Sequence, residues 1–265
     1  MRIGDISVLE HYLQPVMPFL EPEDVTEIVV NRPYEIGVEG RGGWEWHEAP
    51  QLDPDWLMTL ARTSAALTRQ DITDENPICS TILPGGERVQ VLVPPVVPQG
   101  TVSFTIRKPS TVSKTIGQYE AEGLFANTRV VTEGLSDVDR ELLKLRDSGE
   151  WMRFFEVAVR SRKNILVSGA TGSGKTSLSK ALIRLIPDHE RLVTIEDTRE
   201  LTLPHRNVVH MIYAKDGQGL AKVGPKELLE SALRMRPDRI LLQELRDGTA
   251  FFYLRNVNSG HPGSI

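Results

Sequence analysis

Cysteine is almost missing from this chain. Cys79 is the single one in 265 residues, which excludes a disulfide within the chain and fits a reducing compartment. Cys79 itself reads as a small core residue, with no histidine near it in sequence to make it a nucleophile. Long apolar runs are missing too. No stretch approaches the roughly 18 residues of a spanning helix, and residues 1–10, MRIGDISVLE, lack the apolar core of a secretory leader. Positive charge is not in excess. The formal net charge is −5, which argues against a sequence-independent nucleic-acid binder, and no sequence-specific contact with nucleic acid is expected. There is no internal repeat, no low-complexity tract and no N-K-x-D guanine-reading motif. These absences leave a cytoplasmic protein, with room for peripheral attachment to a membrane complex. The 40% hydrophobic and 25% charged content is that of a globular protein, and the length fits two domains better than one.

What the chain does have is G-A-T-G-S-G-K-T at 169–176, a complete G-x-x-x-x-G-K-[ST] phosphate-binding loop. Gly169, Gly172 and Gly174 let the backbone wrap closely around an anion, with the N–H groups of Ala170, Thr171 and Ser173 available beside them. Lys175 has the reach for β- and γ-phosphates, and the Thr176 hydroxyl suits Mg²⁺. Ser177 completes the cradle at the start of a helix whose dipole favours negative charge. The context agrees. Asn164–Ser168 reads as a short buried strand in front, and Ser177–Ile186 carries Leu178, Leu182, Leu185 and Ile186 at helical spacing behind. ATP with Mg²⁺ is the expected ligand.

Patterning divides the rest. Residues 1–108 read as an α+β domain. Strands are expected over Val25–Val30 and Thr101–Arg107. Hairpins are expected around Gly40–Gly43 and Pro84–Gly86, and a helix opens at Asp53-Pro54. Residues 109–150 read as a long interdomain linker with short helices such as Asp137–Leu145. Residues 151–265 alternate strand and helix, the order of a parallel α/β sheet. Its strands are Arg191–Ile195, Asn207–Tyr213 and Asp238–Leu242, and its helices are Trp151–Arg162, Pro225–Met235 and Gly248–Val257. This last unit reads as C-terminally incomplete, because a strand is due where the chain stops.

Ligands of such sheets sit beyond the carboxyl ends of the strands. Glu196 and Asp197 follow one strand, and Glu244 follows another. His261 lies in the glycine-flanked turn Ser259–Gly263, expected at the same edge. Glu244 either holds Mg²⁺ and polarises the attacking water or merely opens a loop. Glu196 and Asp197 either position water or cap the next turn. His261 either senses the γ-phosphate or is structural. The charged run Arg234–Arg239 either contacts phosphate or stabilises the strand entry, the second being the simpler reading.

Taken together, the motifs at 169–176, T-I-E-D-T-R-E-L at 194–201, L-R-M-R-P-D-R-I-L-L-Q-E-L-R at 233–246 and N-S-G-H-P-G-S at 258–264 resemble the secretion ATPases of type II secretion, type IV secretion and type IV pili. V-V-N-R-P at 29–33, P-G-G-E-R-V-Q-V at 84–91 and S-F-T-I-R-K-P-S at 103–110 extend the likeness into the first half, nearest the type IV secretion branch. The resemblance implies a RecA-like P-loop NTPase domain behind the α+β domain. It also implies a homohexamer at the cytoplasmic face of the bacterial inner membrane, working with other secretion-system subunits and ATPases. Glu196, Glu244 and His261 take the catalytic positions by resemblance. Arg107, and by position Arg129, become the arginines that touch nucleotide phosphates. Gln243 stands where many members have glycine, and the long linker leaves open whether domains pair within one chain or between neighbours. A docking scaffold gated by nucleotide and a DNA-translocating RecA-like motor stay as alternatives.

Overall fold

The computed structural model describes residues 3–110, 113–128, 130, 134–215, 218–245, 247–257 and 260–265. The first half is built on an antiparallel sheet of six strands. They are β1 (Glu27–Val30), β2 (Glu35–Gly40), β3 (Gly43–Glu48), β4 (Ile78–Ile82), β5 (Arg88–Leu92) and β6 (Ser103–Arg107), in the order β3-β2-β1-β6-β5-β4. Both hairpins fall where the glycine turns put them. Helix α3 (Pro54–Leu67) starts at the expected cap, with the Asp53 carboxylate accepting the Trp56 N–H at 2.7 Å. Period-two alternation sorts the sheet faces. Ile28, Val30, Val89, Val91, Phe104 and Ile106 face α3 and α1 (Ile3–Leu13), a helix the periodicity did not announce. Tyr12 ties α1 down through its carbonyl, which accepts the Trp56 indole N–H at 2.9 Å. A single turn, α2 (Met17–Leu20), leads into β1.

The other face of this sheet is polar yet buried. Glu27, Gln90, Ser103 and Thr105 are each at most 3% exposed because the second half of the chain covers them. Between the halves run α4 (Ile116–Ala121) and α5 (Asp137–Ser148). Each is closed at its N-terminus by a reciprocal capping box, Thr115 with Gln118 and Ser136 with Asp139.

The second half holds a parallel sheet of β7 (Leu192–Glu196), β8 (Val208–Ile212) and β9 (Arg239–Leu242), in the order β8-β7-β9. Val193, Ile195, Val209, Met211, Ile240 and Leu242 pack under α8 (Pro225–Ala232) and α9 (Asp247–Val257), joined by Leu92, Val96 and Val97 from the first half. The opposite face packs on α6 (Trp151–Arg160) and α7 (Lys175–Ile183) through Val159, Leu182 and Ile183.

The strand expected over Asn164–Ser168 is not formed. Among the described residues its one ladder-like backbone bond runs from the Ile165 N–H to the Ser264 carbonyl at 2.8 Å. Asn164 holds the same neighbour from the side, its Oδ1 accepting the N–H groups of Gly263 and Ser264. One backbone bond does not make a ladder.

Candidate active site

Parallel strands have a common entry edge and a common exit edge, and every candidate residue can be assigned to one of them. Arg191, Asn207 and Asp238 stand at the entry; Asp197, Tyr213 and Gln243 stand at the exit. Helix α7 crosses between them. Just past its end, the Ile186 carbonyl lies 3.1 Å from His205 Nε2, and His205 precedes β8 at the entry edge. With about 1.5 Å of rise per residue, the N-terminus of α7 lies roughly 13 Å away toward the exit. The phosphate loop therefore opens on the same edge as Glu196 and Glu244.

Within the loop, Gly172 (φ +77°) and Gly174 (φ +86°) occupy left-handed conformations that a side chain would strain, and Gly174 caps α7. A Cβ on Gly169 would lie 2.6 Å from Ser173 Oγ, so any side chain there would make the serine hydroxyl turn away. The Lys175 ammonium donates to the carbonyls of Gly169 and Ala170, both at 2.8 Å. It holds the loop curled by neutralising carbonyl dipoles. Residues 169–174, Thr176 and Ser177 are exposed. Such a cradle fits a phosphate chain: an exposed N-terminal helix end, glycine hinges and an ammonium within the ring.

Glu196 is at this edge but is not free to act. It is fully buried. Its Oε2 accepts the N–H groups of Glu200 and Leu201, both at 2.8 Å, and its Oε1 accepts Thr194 Oγ1–H at 2.7 Å, with His210 Nδ1 at 3.3 Å. His210 Nδ1 also lies 3.0 Å from Thr194 Oγ1. Burial pushes the Glu196 carboxyl up, but the histidine, backbone and hydroxyl donors outweigh it and hold the group below the usual carboxylate range. Four donors saturate the carboxylate, which therefore pins the 197–201 segment. The capping role entertained for this acid pair is visible in Glu196 itself.

Gln243 is the residue whose task the sequence left unread. Its N–H bonds the Ile195 carbonyl at 3.1 Å, and its Oε1 accepts the Asp197 N–H at 3.2 Å. It thus laces the tip of β9 to the tip of β7. Glu244 follows it, exposed at the exit edge and outside the sheet.

Two predicted partners are elsewhere. His261 donates or accepts through Nδ1, and since its partner is the Pro237 carbonyl at 2.8 Å, it donates. Pro237 precedes β9, so His261 stands at the entry edge; four residues of strand at about 3.3 Å each separate it from Glu244. The expectation that it shares the loop's edge fails for a simple reason: a residue leading into a parallel strand sits where strands begin. Arg107 is likewise remote from the loop of its own chain. It opens into a cleft of about 490 Å³ lined by Glu27, Glu39, Lys108 and Arg236. Arg236 immediately precedes Pro237, bonds Asp238 at 2.9 Å and pairs with Glu39. Arg129 lies outside the described residues.

The entry edge carries a buried polar junction between the two halves. Arg191 is completely buried; its guanidinium donates to the Met235 carbonyl at 2.8 Å, Asn31 Oδ1 at 2.9 Å, Thr105 Oγ1 at 3.1 Å and Asn207 Oδ1. Gln90 reaches Ser231 Oγ at 2.9 Å, and Arg206 pairs with Glu35 at 3.1 Å.

Residues 13–264 match the model of the Type II/IV secretion system protein family. The chain belongs to this family. The relatives at the VirB11 end of the family are near. The type IV secretion system protein VirB11 of Bartonella henselae is 52% identical over 271 residues, spanning 98% of this chain and 76% of that one. VirB11 of Brucella suis is 45% identical over 258 residues, spanning 96% and 71%. The crystal structure of the Brucella suis VirB11 ATPase with sulphate superposes with a TM-score of 0.92 at 42% identity, covering 99% of this chain and 76% of that chain. The family expectation from the four ordered motifs holds, and the mixed α/β architecture with a parallel sheet agrees with it. Among the described residues no helix is long and apolar enough to cross a membrane, and no group of three or more His, Cys, Asp or Glu could hold a metal by itself.

Proposed function

We propose that this chain is the ATP-hydrolysing motor of a type IV secretion system, acting as a homohexamer on the cytoplasmic face of the inner membrane with other subunits of the apparatus. In this reading residues 151–265 are a RecA-like P-loop unit, residues 1–108 an α+β domain and residues 109–150 the linker. One positional argument supports it: the laced tips of β7 and β9 and Glu244 stand at the exit edge of one parallel sheet, and α7, whose far end meets His205 at the entry edge, runs back toward the exit with the glycine loop at its start.

The residues divide the work as follows. The backbone of Gly169–Gly174 and the α7 N-terminus bind the phosphate chain, and Lys175 exchanges its loop carbonyls for β- and γ-phosphate oxygens. Glu244 orients and polarises the attacking water. Thr176 and Glu244 would hold a Mg²⁺ ion, which would supply charge neutralisation at the phosphates. Glu196, saturated by donors, fixes the segment that faces the loop. Arg107 completes the site from a neighbouring copy. Its own half is clamped through Arg191 to the entry edge, so the reach to a loop at the exit edge is intermolecular. ATP then draws adjacent subunits together, and hydrolysis releases them.

Turnover by the full chain tests this. Lys175→Ala should abolish ATP hydrolysis, and Glu244→Gln should retain ATP binding while losing turnover. Mixing Lys175→Ala and Arg107→Ala chains should restore part of the activity, because some interfaces then pair an intact loop with an intact arginine. Unchanged turnover in Lys175→Ala rejects the site; no recovery on mixing rejects the intermolecular arginine.

A further inference from the structure

Glu27 is a buried acid that the reading above does not use. It sits on β1 between two charged cross-strand neighbours, Glu39 on β2 and Arg107 on β6. It is 3% exposed, and its Oε1 has no hydrogen-bond partner. Its Oε2 lies 4.0 Å from Arg107 Nε, the nearest guanidinium nitrogen. A carboxylate so deep without a direct donor is costly, so its place needs a reason.

The other charges around it are engaged elsewhere. From the entry to β9, Arg236 is held by Glu39 and Asp238. From the entry to β7, Arg191 donates to Met235, Asn31, Thr105 and Asn207. Lys108 gives its ammonium to the carbonyls of Glu21 and Pro22, and Arg107 is the remaining cation lining the cleft, two-thirds exposed at its mouth. The carboxylate meets it from the stem side, through Nε. That leaves the two terminal nitrogens, the fork that suits phosphate oxygens, farther from the acid.

We propose that Glu27 is a positioning residue for Arg107: its ionised carboxylate orients the guanidinium for the phosphate, and protonation lets the arginine go. The inference rests on the assignment of Arg107 to the nucleotide. Burial is the main cause that pushes the Glu27 carboxyl up, to about 7, against the lowering pull of Arg107 and with Glu39 raising it further. The sign follows. Above that value the acid is ionised and the arginine is oriented; below it the ionised fraction falls about tenfold per pH unit.

The experiment measures kcat and KM for ATP on the full chain from about pH 6 to 8, for the wild type, Glu27→Gln, Glu27→Asp and Arg107→Ala. Wild-type kcat should show an acid limb with its midpoint near 7. Glu27→Gln mimics the protonated acid, so at pH 8 its kcat should drop to the wild-type low-pH level, with KM within about twofold and the limb gone. Glu27→Asp, which keeps the charge on a shorter stem, should recover part of kcat and keep a limb. A limb in Glu27→Gln identical to the wild type overturns the inference while leaving Arg107 in place. Unchanged kcat in Arg107→Ala instead overturns the arginine assignment itself. A purely structural Glu27 would lower the melting temperature and leave the limb where it is, which also refutes the proposal.

Discussion

Arg239→Met is the sharpest test of how the sheet supports the loop. Arg239 opens β9 and is completely buried. Its guanidinium grips Glu190 with two nitrogens, Nε to Oε2 at 2.6 Å and Nη2 to Oε1 at 3.1 Å, and donates Nη1–H to the Gly263 carbonyl at 3.1 Å. Removing one partner of a buried pair strands the other, at a cost of about 3–5 kcal/mol. Arg162, 3.5 Å from Glu190 Oε1, takes up part of the orphaned charge and pulls the value toward the low end. At roughly 2–4 °C per kcal/mol for a chain of this size, the thermal midpoint of the chain should fall by about 6–15 °C. The loss should also reach the nucleotide. Gly263 and Ser264 hold Asn164 and Ile165, the residues that lead into the phosphate loop, so ATP affinity should weaken several-fold. Melting followed by circular dichroism and a fluorescent-nucleotide titration read the two effects. Adding Glu190→Gln should cost much less than the sum of the single variants, because the stranded acid is gone. A midpoint within about 2 °C of the wild type, or strict additivity of the pair, would refute the reasoning.

Two further outcomes follow from single contacts. Gln243→Ala removes the side-chain bond between the β7 and β9 tips; a neutral hydrogen bond is worth about 1 kcal/mol, so the melting temperature should fall by only about 2–4 °C while kcat falls, and an unchanged kcat would show that the tips need no lacing. Cys79 is buried at 1% exposure and its thiol is pushed up to about 11 by burial, so it should resist a thiol reagent near pH 8 until denaturant is added, and rapid native labelling would contradict its place in the core.

The sequence was legible wherever local chemistry decides structure. Asp53-Pro54 made a helix start, and Gly40–Gly43 and Pro84–Gly86 made hairpins. The spacing around Gly169 made a glycine turn that caps α7, because these patterns act through nearest neighbours. It was illegible where burial depends on what a distant segment covers. Gln90, Ser103 and Thr105 alternate with apolar neighbours and so mark strands, but the same alternation reads as a solvent face; the second half of the chain turns it into an interior. Thr194 and Glu196 were a similar signal within reach: two polar residues at period two in a strand buried along its whole length must find partners, and they find each other and His210.

The same logic explains why the site separates as it does. The entry edge gathers buried or half-buried ionic groups, Arg239 with Glu190, Arg236 with Glu39 and Asp238, and Arg191 among asparagines. Each is locked by partners on another segment, and such pairs resist displacement because breaking one strands a charge. The exit edge has the opposite character: an exposed glycine loop, a lysine held only by carbonyls it can release, and an exposed Glu244. The first half is held by the Arg191 clamp at the entry edge and by the Val96 carbonyl, which accepts the Ile212 N–H at 2.9 Å at the exit end of β8, so it cannot swing its own Arg107 to its own Lys175 without breaking these contacts. On the function proposed above, the cation is most cheaply supplied by a second copy, which would make assembly a condition of turnover.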